Sequence, residues 1–451
     1  MAQGLIEPIE QLIERDIECN CHRTHKTKLK KLVVEMNAID NLPELLQEYM
    51  SYKMLLVADR NTKLALGDRV LSILGEYGYN LRMYVFEEDI TPNEADIGKM
   101  LIEVSADVDV LVAIGSAALT DLLKYICLIT RLPLVSIPTA ASSDRYAMPY
   151  SFFFDDKKKQ IKSSTVPDII VVDLEVIAAA PKHMAPAGAA AVLAKQIALF
   201  DWKLSNIIDE TVYCDDLAQA MLYHIYNFTD SLSGSRPLYS IKTLEYLMKA
   251  LIFSGILVSF CESMQPAFGS ETLMSDTILM TGSYSKEVYS EQYIKAVTTA
   301  NCARIADSII ASGSLDFAGA KYLLNDYGWV MHNNEINRVF KEDANAVLSQ
   351  SGGFSRYNEQ THMRRLFAIT DRWKEIIEAA SDMIPEYTIL QEMLRNCVLP
   401  YRFEDLGMTR DQALDAVLWS SELSNKYNLL TLIWELGEID SVAYALTSRM
   451  K

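Results

Sequence analysis

Between Asp107 and Pro149 the chain follows a pattern that few architectures accommodate. The apolar strand DVDVLVAIG runs into the small-residue loop Gly115-Ser116-Ala117-Ala118 and a helix reaching Ile129. A second apolar strand follows, then the polar turn Pro138-Thr139-Ala140-Ala141-Ser142-Ser143-Asp144. A near-continuous apolar strand belongs in a parallel sheet covered by helices on both faces. Backbone amides at the start of the following helix, with the positive end of its dipole, attract phosphate. Because the loop lacks long side chains, a pyrophosphate can approach the main chain. A ligand-free tight turn between strand and helix reads the same way, since no GxGxxG spacing is present.

The alternation extends in both directions. Met54–Asp59 and Asn80–Phe86 read as strands, and Leu64–Tyr77 and Asn93–Val104 as helices, the first ending near Gly78. This spacing implies parallel strands whose carboxyl ends carry ligands, and Asp59-Arg60-Asn61-Thr62 and Gly115-Ser116 fall at such ends. Beyond Pro149 come strand Tyr150–Phe154, a basic hairpin tip over Asp155–Lys159 and strand Ile169–Asp173. From Ala185 the period is helical, over Ala187–Leu204, Leu217–Leu232, Ile241–Phe260 and Ser290–Ser312. Thr409-Arg410-Asp411-Gln412 is a capping box opening another helix. The expected fold class is therefore α/β followed by all-α: an N-terminal parallel-sheet nucleotide-binding domain, then a C-terminal helical domain. The expected divisions are an arm over 1–30, the α/β domain over 31–184, a helical metal or substrate domain over 185–325 and a helical extension over 326–451.

Charge and cysteine usage narrow the function classes. A net charge of −18 over 451 residues opposes nucleic-acid binding, and the best candidate for a local basic patch, His25 to Lys31, reads as a solvated lead-in to the strand Leu32–Glu35 rather than a nucleic-acid contact. Seven cysteines in a long chain indicate reduced thiols. Met1 to Glu18 lacks a secretory apolar core, and no segment reaches the uninterrupted apolar length of a membrane span. The expected location is the cytoplasm.

Several segments together resemble the sn-glycerol-1-phosphate dehydrogenase family, in particular its bacterial AraM-like branch, within the group containing glycerol dehydrogenases and dehydroquinate synthase. They are Val57 to Thr62; Gly115-Ser116 with Asp121; Ser136 to Asp144; Ala187-Gly188 through Asp201-Trp202-Lys203; Gln265 to Glu271; and Lys426 to Leu429 with Trp434 to Gly437. The resemblance implies a dehydroquinate synthase-like fold with the site in an interdomain cleft, NAD or NADP as cofactor, a small phosphorylated ligand and a homo-oligomer. The implied family reaction is NAD(P)H-dependent reduction of dihydroxyacetone phosphate to sn-glycerol 1-phosphate. It assigns Asp59, Thr62, Gly115, Ser116, Ala117, Asp121, Thr139 and Ser142 to the cofactor, with Asp59 on a ribose hydroxyl and Thr139 towards the nicotinamide. As an alternative, Asp59 and Asp144 simply cap turns after strands.

Departures from the family pattern bear on chemistry. The resemblance implies a divalent ion, usually zinc, held by an aspartate and two histidines. Those places here read Ala191, Thr272 and Thr281. Alanine has no donor atom, and neutral hydroxyls are poor zinc ligands, so the family zinc is expected to be absent and metal-dependent hydride transfer lost or altered. Glu271, Asp276, His183 and His224 are nearby in sequence, and Lys195, one turn after Ala191, is a candidate for a repurposed catalytic group or a structural ion pair. Asp144 is the other catalytic candidate. The branch pattern Gly-Ser-Gly-Thr reads Gly115-Ser116-Ala117-Ala118, which places a Cβ where the backbone meets pyrophosphate and weakens cofactor binding. Two readings follow: an altered polyol-phosphate dehydrogenase, or a non-catalytic nucleotide- or phosphate-binding regulator or partner of an active paralogue.

Two clusters stand apart. Cys19, Cys21 and His25, within Cys19-Asn20-Cys21-His22-Arg23-Thr24-His25, have the ligand types for an N-terminal metal or redox site. The resemblance supplies a related Cys-x-Cys-Gly-x-x-His, with His22 in place of glycine; an unmetallated arm is the alternative. Lys157 to Lys159, with Lys162, make a phosphate-recruiting patch or a solvated hairpin tip. Tyr246 to Phe260 reads as a buried core helix.

Overall fold

The computed structural model describes residues 8–88, 90–104, 107–155, 158–232, 237–285, 290–312, 320, 323, 328–350 and 358–450. The chain forms two compact units, Met1–Val192 with Asp215–Ser263, and Leu193–Cys214 with Met264–Lys451.

The first unit opens with helix α1 (Ile9–Leu12) and a short antiparallel hairpin, β1 (Ile17–Glu18) and β2 (Thr24–His25). The chain then runs through β3 (Lys31–Glu35), α2 (Leu42–Leu45), β4 (Lys53–Asp59), the single turn α3 (Arg60–Thr62), α4 (Asp68–Glu76), β5 (Asn80–Phe86), α5 (Glu94–Glu103), β6 (Val110–Gly115), α6 (Ala117–Thr130) and β7 (Leu134–Pro138). A second hairpin, β8 (Tyr150–Asp155) and β9 (Lys158–Ser163), precedes β10 (Ile169–Asp173). Six strands form one parallel sheet in the order β3-β10-β7-β6-β4-β5.

The apolar runs force this arrangement, because alternate residues of a strand face opposite sides. Leu56, Val112, Ile137 and Val171 pack on Leu66, Val70 and Leu74 of the α3–α4 segment. Leu55, Val57, Leu111 and Ala113 pack on Met100 of α5 and Leu119, Leu122 and Ile126 of α6. With both faces covered, every residue of β6, β7 and β10 is buried.

After α7 (Leu174–Ala179) the chain turns helical, with α8 (Met184–Asp209), α9 (Asp215–Asp230) and α10 (Ile241–Cys261). By length and composition helix α10 is apolar enough to cross a bilayer, although Lys242, Glu245 and Lys249 interrupt its apolar run. Here 72% of its most apolar window is buried, and α10 packs on α9, α7 and β3 as a core helix. Its lack of charged residues after Lys249 reflects coverage on all sides, which composition alone does not distinguish from lipid exposure.

Within the second unit, the carboxyl part of α8 accompanies α11 (Ser270–Thr281) and α12 (Glu291–Ser312), which pack against each other. Shorter helices follow from Trp329 to Thr447. The expected capping box is present: Thr409 Oγ1 accepts from Gln412 N, and Gln412 Oε1 accepts from Thr409 N at 2.8 Å.

Candidate functional site

Strand β4 leads outward to β5, and the chain then returns to β6 on the other side of β4. That reversal splays the connections apart, so the carboxyl ends of β4 and β6 border the crevice where open α/β sheets bind ligands. At the end of β4, Asp59 Oδ1 accepts from Thr62 N at 2.8 Å, and Thr62 Oγ1 accepts from Asp59 N at 3.0 Å. The capping alternative for Asp59 is thus realised, and it fixes Thr62 at the crevice.

Gly115 closes β6 at φ +155°. A Cβ there would lie 3.1 Å from Thr62 Oγ1 and 3.2 Å from Leu119 Cδ2, so glycine is what lets the β4 and β6 ends meet. Thr139 N donates to Gly115 O at 3.2 Å, which joins the end of β7 to the same rim. Ser116 caps α6 by accepting from Leu119 N. The structure therefore brings Asp59, Thr62, Gly115, Ser116 and Thr139 to adjoining strand ends, with the amino end of α6 among them. Ala117 is buried, while Ser142 is half-buried on the turn after β7.

Beneath this rim is a charged brace. Asp121 is fully buried, with Oδ1 2.8 Å from Lys124 Nζ and Oδ2 3.1 Å from Arg145 Nη1. Lys124 Nζ also donates to the carbonyls of Arg145 (2.8 Å), Met148 (2.9 Å) and Tyr150 (2.7 Å). Burial lowers the Lys124 pKa, against the opposing pull of Asp121. Asp121, assigned to cofactor by resemblance, is engaged in holding the loop after β7. Asp144 is likewise buried, with Oδ2 accepting from Ser254 of α10 at 3.2 Å. Tyr146 donates to Ala140 O at 3.0 Å. Its phenol is pushed up by burial, while Arg145, Ser142 and the Ala117 backbone pull it down.

Lys124, Arg145 and Tyr146 were not singled out from sequence. An i, i+3 Asp–Lys pair on an otherwise apolar helix was the available signal for the first.

The loop is pressed from the other side by α8. A Cβ on Gly188 would lie 2.1 Å from Ala141 O, so only glycine permits this approach. A separate cleft of about 770 Å³ lies at the opposite, amino ends of the strands, lined in part by Lys30, Arg131 and Asp168. Lys162 is half-buried on β9, paired across from Ser151, whereas Asp156 and Lys157 of the expected basic tip lie outside the described residues.

In the second unit, Lys195 is fully buried and donates to Ala267 O at 2.8 Å, with Nζ 5.4 Å from the Phe268 ring centroid; Lys295 Nζ lies 5.5 Å from the same centroid. Glu271 Oε1 accepts from Gly269 N and Thr272 Oγ1. Burial raises the Glu271 pKa, and Lys295 and Lys195 oppose it. Asp201 accepts from Ser270 N at 2.5 Å and Leu429 N at 2.7 Å. Burial lifts its pKa to about 7, opposed by the Ser270 bond and reinforced by Glu271.

The three positions that the resemblance gives to metal ligands hold an alanine and two threonines. Ala191 is buried without a donor atom, Thr272 Oγ1 donates to Glu271 Oε1 at 2.8 Å, and Thr281 Oγ1 donates to Thr277 O at 2.8 Å within its own helix. Of the nearby candidates, His183 is exposed, Asp276 is half-buried, and His224 packs on Phe253. Burial lowers the His224 pKa to about 4, with Lys249 adding to the effect.

Residues 33–181 match the family model described as iron-containing alcohol dehydrogenase. The glycerol-1-phosphate dehydrogenase [NAD(P)+] of Bacillus licheniformis is 27% identical over 270 residues, 58% of this chain and 66% of that protein. The one of Bacillus subtilis is 22% identical over 435 residues, 94% of this chain and 95% of that protein. The chain is thus similar to glycerol-1-phosphate dehydrogenases along most of its length. With the Bacillus licheniformis relative the match spans just under two thirds of the relative's length. The fold is shared with sulfoacetaldehyde reductase from Bifidobacterium kashiwanohense, solved with NAD+, which superposes with a TM-score of 0.60 at 14% identity, covering 93% of this chain and 97% of that one.

Proposed function

We propose that this protein binds a nicotinamide dinucleotide at the carboxyl ends of β4, β6 and β7 and does not perform metal-assisted reduction of dihydroxyacetone phosphate. The observation that carries the first half is the closure of three strand ends around Gly115, where Thr62 and Thr139 meet the amino end of α6. Asp59, Thr62, Gly115, Ser116, Ala117, Thr139 and Ser142 border the dinucleotide; Asp121 and Asp144 hold the loop that frames it. Support for the second half comes from the donor chemistry of Ala191, Thr272 and Thr281. A metal in such a reaction supplies Lewis-acid stabilisation of the developing alkoxide, and no imidazole or carboxylate stands at those positions. Lys195 takes a structural role in this reading, consistent with its bond to Ala267. Seven cysteines without a disulfide fit a reducing, cytoplasmic setting.

The test is calorimetric titration of the purified chain with NADH and NADPH, followed by NADH oxidation with dihydroxyacetone phosphate, with and without added zinc or nickel. Saturable dinucleotide binding with no ketose-dependent oxidation is the expected result. Absence of binding refutes the first half, and metal-stimulated turnover refutes the second.

A further inference from the structure

The β1–β2 hairpin gathers metal-ligating side chains outside the strand-end crevice. Its turn is closed by His22 N donating to Cys19 O at 2.9 Å and Cys19 N donating to Arg23 O at 3.1 Å. The ligand atoms of Cys19, Cys21 and His25 lie within 4.8 Å of one another, with Cys21 Sγ 3.2 Å from His25 Nε2. His25 is buried, and its Nδ1 is 2.9 Å from Phe260 O at the end of α10. A carbonyl accepts only, so Nδ1 carries the proton and Nε2 turns its lone pair towards the thiols. A carbonyl that holds the far ring nitrogen prepares a metal-binding imidazole in the same way. The hairpin is also fixed to the first turn of α9, where Asp216 Oδ2 is 3.4 Å from Cys19 Sγ and accepts from Asn20 Nδ2 at 3.2 Å. The chain enters α9 from Cys214, two residues before Asp216, so covalent continuity brings a third thiol to the hairpin.

We propose that this hairpin is a structural zinc site, with the thiolates of Cys19, Cys21 and Cys214 and Nε2 of His25 as its four ligands. Three sulfurs and one imidazole are a closed tetrahedral set for zinc, with no position left for a substrate. Zinc–sulfur bonds of about 2.3 Å and a zinc–nitrogen bond of about 2.0 Å put neighbouring ligand atoms roughly 3.5–3.8 Å apart, so small side-chain movements complete the site. Binding releases the thiol protons and ties the arm to α9 and α10. The site is separate from the family's catalytic metal and does not depend on the function proposed above.

The test is cobalt(II) substitution of the full-length chain, followed by absorption spectroscopy. Sulfur-to-cobalt charge transfer requires thiolate ligands, so cobalt held elsewhere gives no such band. The expected result is one cobalt per chain with a charge-transfer band that Cys21→Ser loses at least in part and His22→Gly keeps. No band in the unaltered chain, or an unchanged band in Cys21→Ser, overturns the proposal. Should Cys21→Ser fail to fold, maleimide labelling of the zinc-loaded unaltered chain, read by peptide mass, decides. Labelling of Cys19, Cys21 and Cys214 that rises on chelation supports the site; labelling indifferent to chelator overturns it.

Discussion

Replacing Lys124 with methionine isolates the brace beneath the crevice. Methionine fills most of the same volume but removes the ammonium from Asp121 and from the carbonyls of Arg145, Met148 and Tyr150. Breaking one side of a buried ion pair costs about 3–5 kcal/mol, and each buried acceptor left without a donor costs about 1–3 kcal/mol. Arg145 stays beside Asp121, and the loop can shift to re-pair some carbonyls, so the two contributions overlap. We expect Lys124→Met to destabilise the first unit by about 4 kcal/mol, near the middle of the range for broken buried pairs. In a domain of roughly 150–250 residues that lowers Tm by about 8–16 °C. Urea unfolding measures the loss, and a cycle with Asp121→Asn measures the coupling, expected at about 2 kcal/mol. Because the braced loop carries Thr139 and Ser142, NADH affinity should fall with stability. A loss below about 1 kcal/mol in Lys124→Met would refute the brace, since this is the scale of one ordinary hydrogen bond.

Two further outcomes follow from close packing and from burial. Gly188→Ala places a Cβ 2.1 Å from Ala141 O, so helix and loop must separate; overpacking of this kind costs about 1–3 kcal/mol or more, and thermal unfolding should show it together with weaker dinucleotide binding. Burial raises Asp201 to about 7 in the folded chain, against about 3.9 unfolded. Its contribution to stability is therefore fully present below the unfolded value, declines as pH rises between the two and is lost above about 7. Asp201→Asn should remove this decline, which urea midpoints of the helical unit taken across that interval would detect.

What was legible in the sequence was whatever local period or local capping dictates. β4, β6, β7 and β10 are apolar on both faces, a pattern that only a doubly covered sheet tolerates, and the small residues after β6 mark a strand-to-helix turn. The Cys19–His25 stretch showed its ligand types but not its hairpin, because strands of two residues have no period to read. At His22, where the resemblance expects glycine, the backbone has φ +62°. That left-handed conformation gives a physical reason for glycine in the pattern. Lys124 was passed over because its partners are carbonyls some twenty residues onward, brought to it only when the loop folds back over α6. Asp121 and Asp201 were visible as motif members, while their engagement by Lys124 and by the Ser270 and Leu429 amides is a tertiary fact.

This difference affects what the resemblance can carry. Asp121, Asp144, Asp201 and Lys195 belong to its matching segments, and each is buried with a charged or hydrogen-bonding partner inside the protein. Buried charges are costly to leave unpaired, so such residues persist as long as the fold does, whatever reaction it hosts. A match built on them therefore reports architecture. Reaction chemistry depends on residues that face a ligand and contribute little to stability, and these can change without disturbing the brace. Ala191, Thr272 and Thr281 are of that kind under the proposed reading, with the hydroxyls of Thr272 and Thr281 bonded to a neighbour. The similarity to glycerol-1-phosphate dehydrogenases and the proposed absence of metal-assisted reduction are thus compatible, because they rest on different sets of residues.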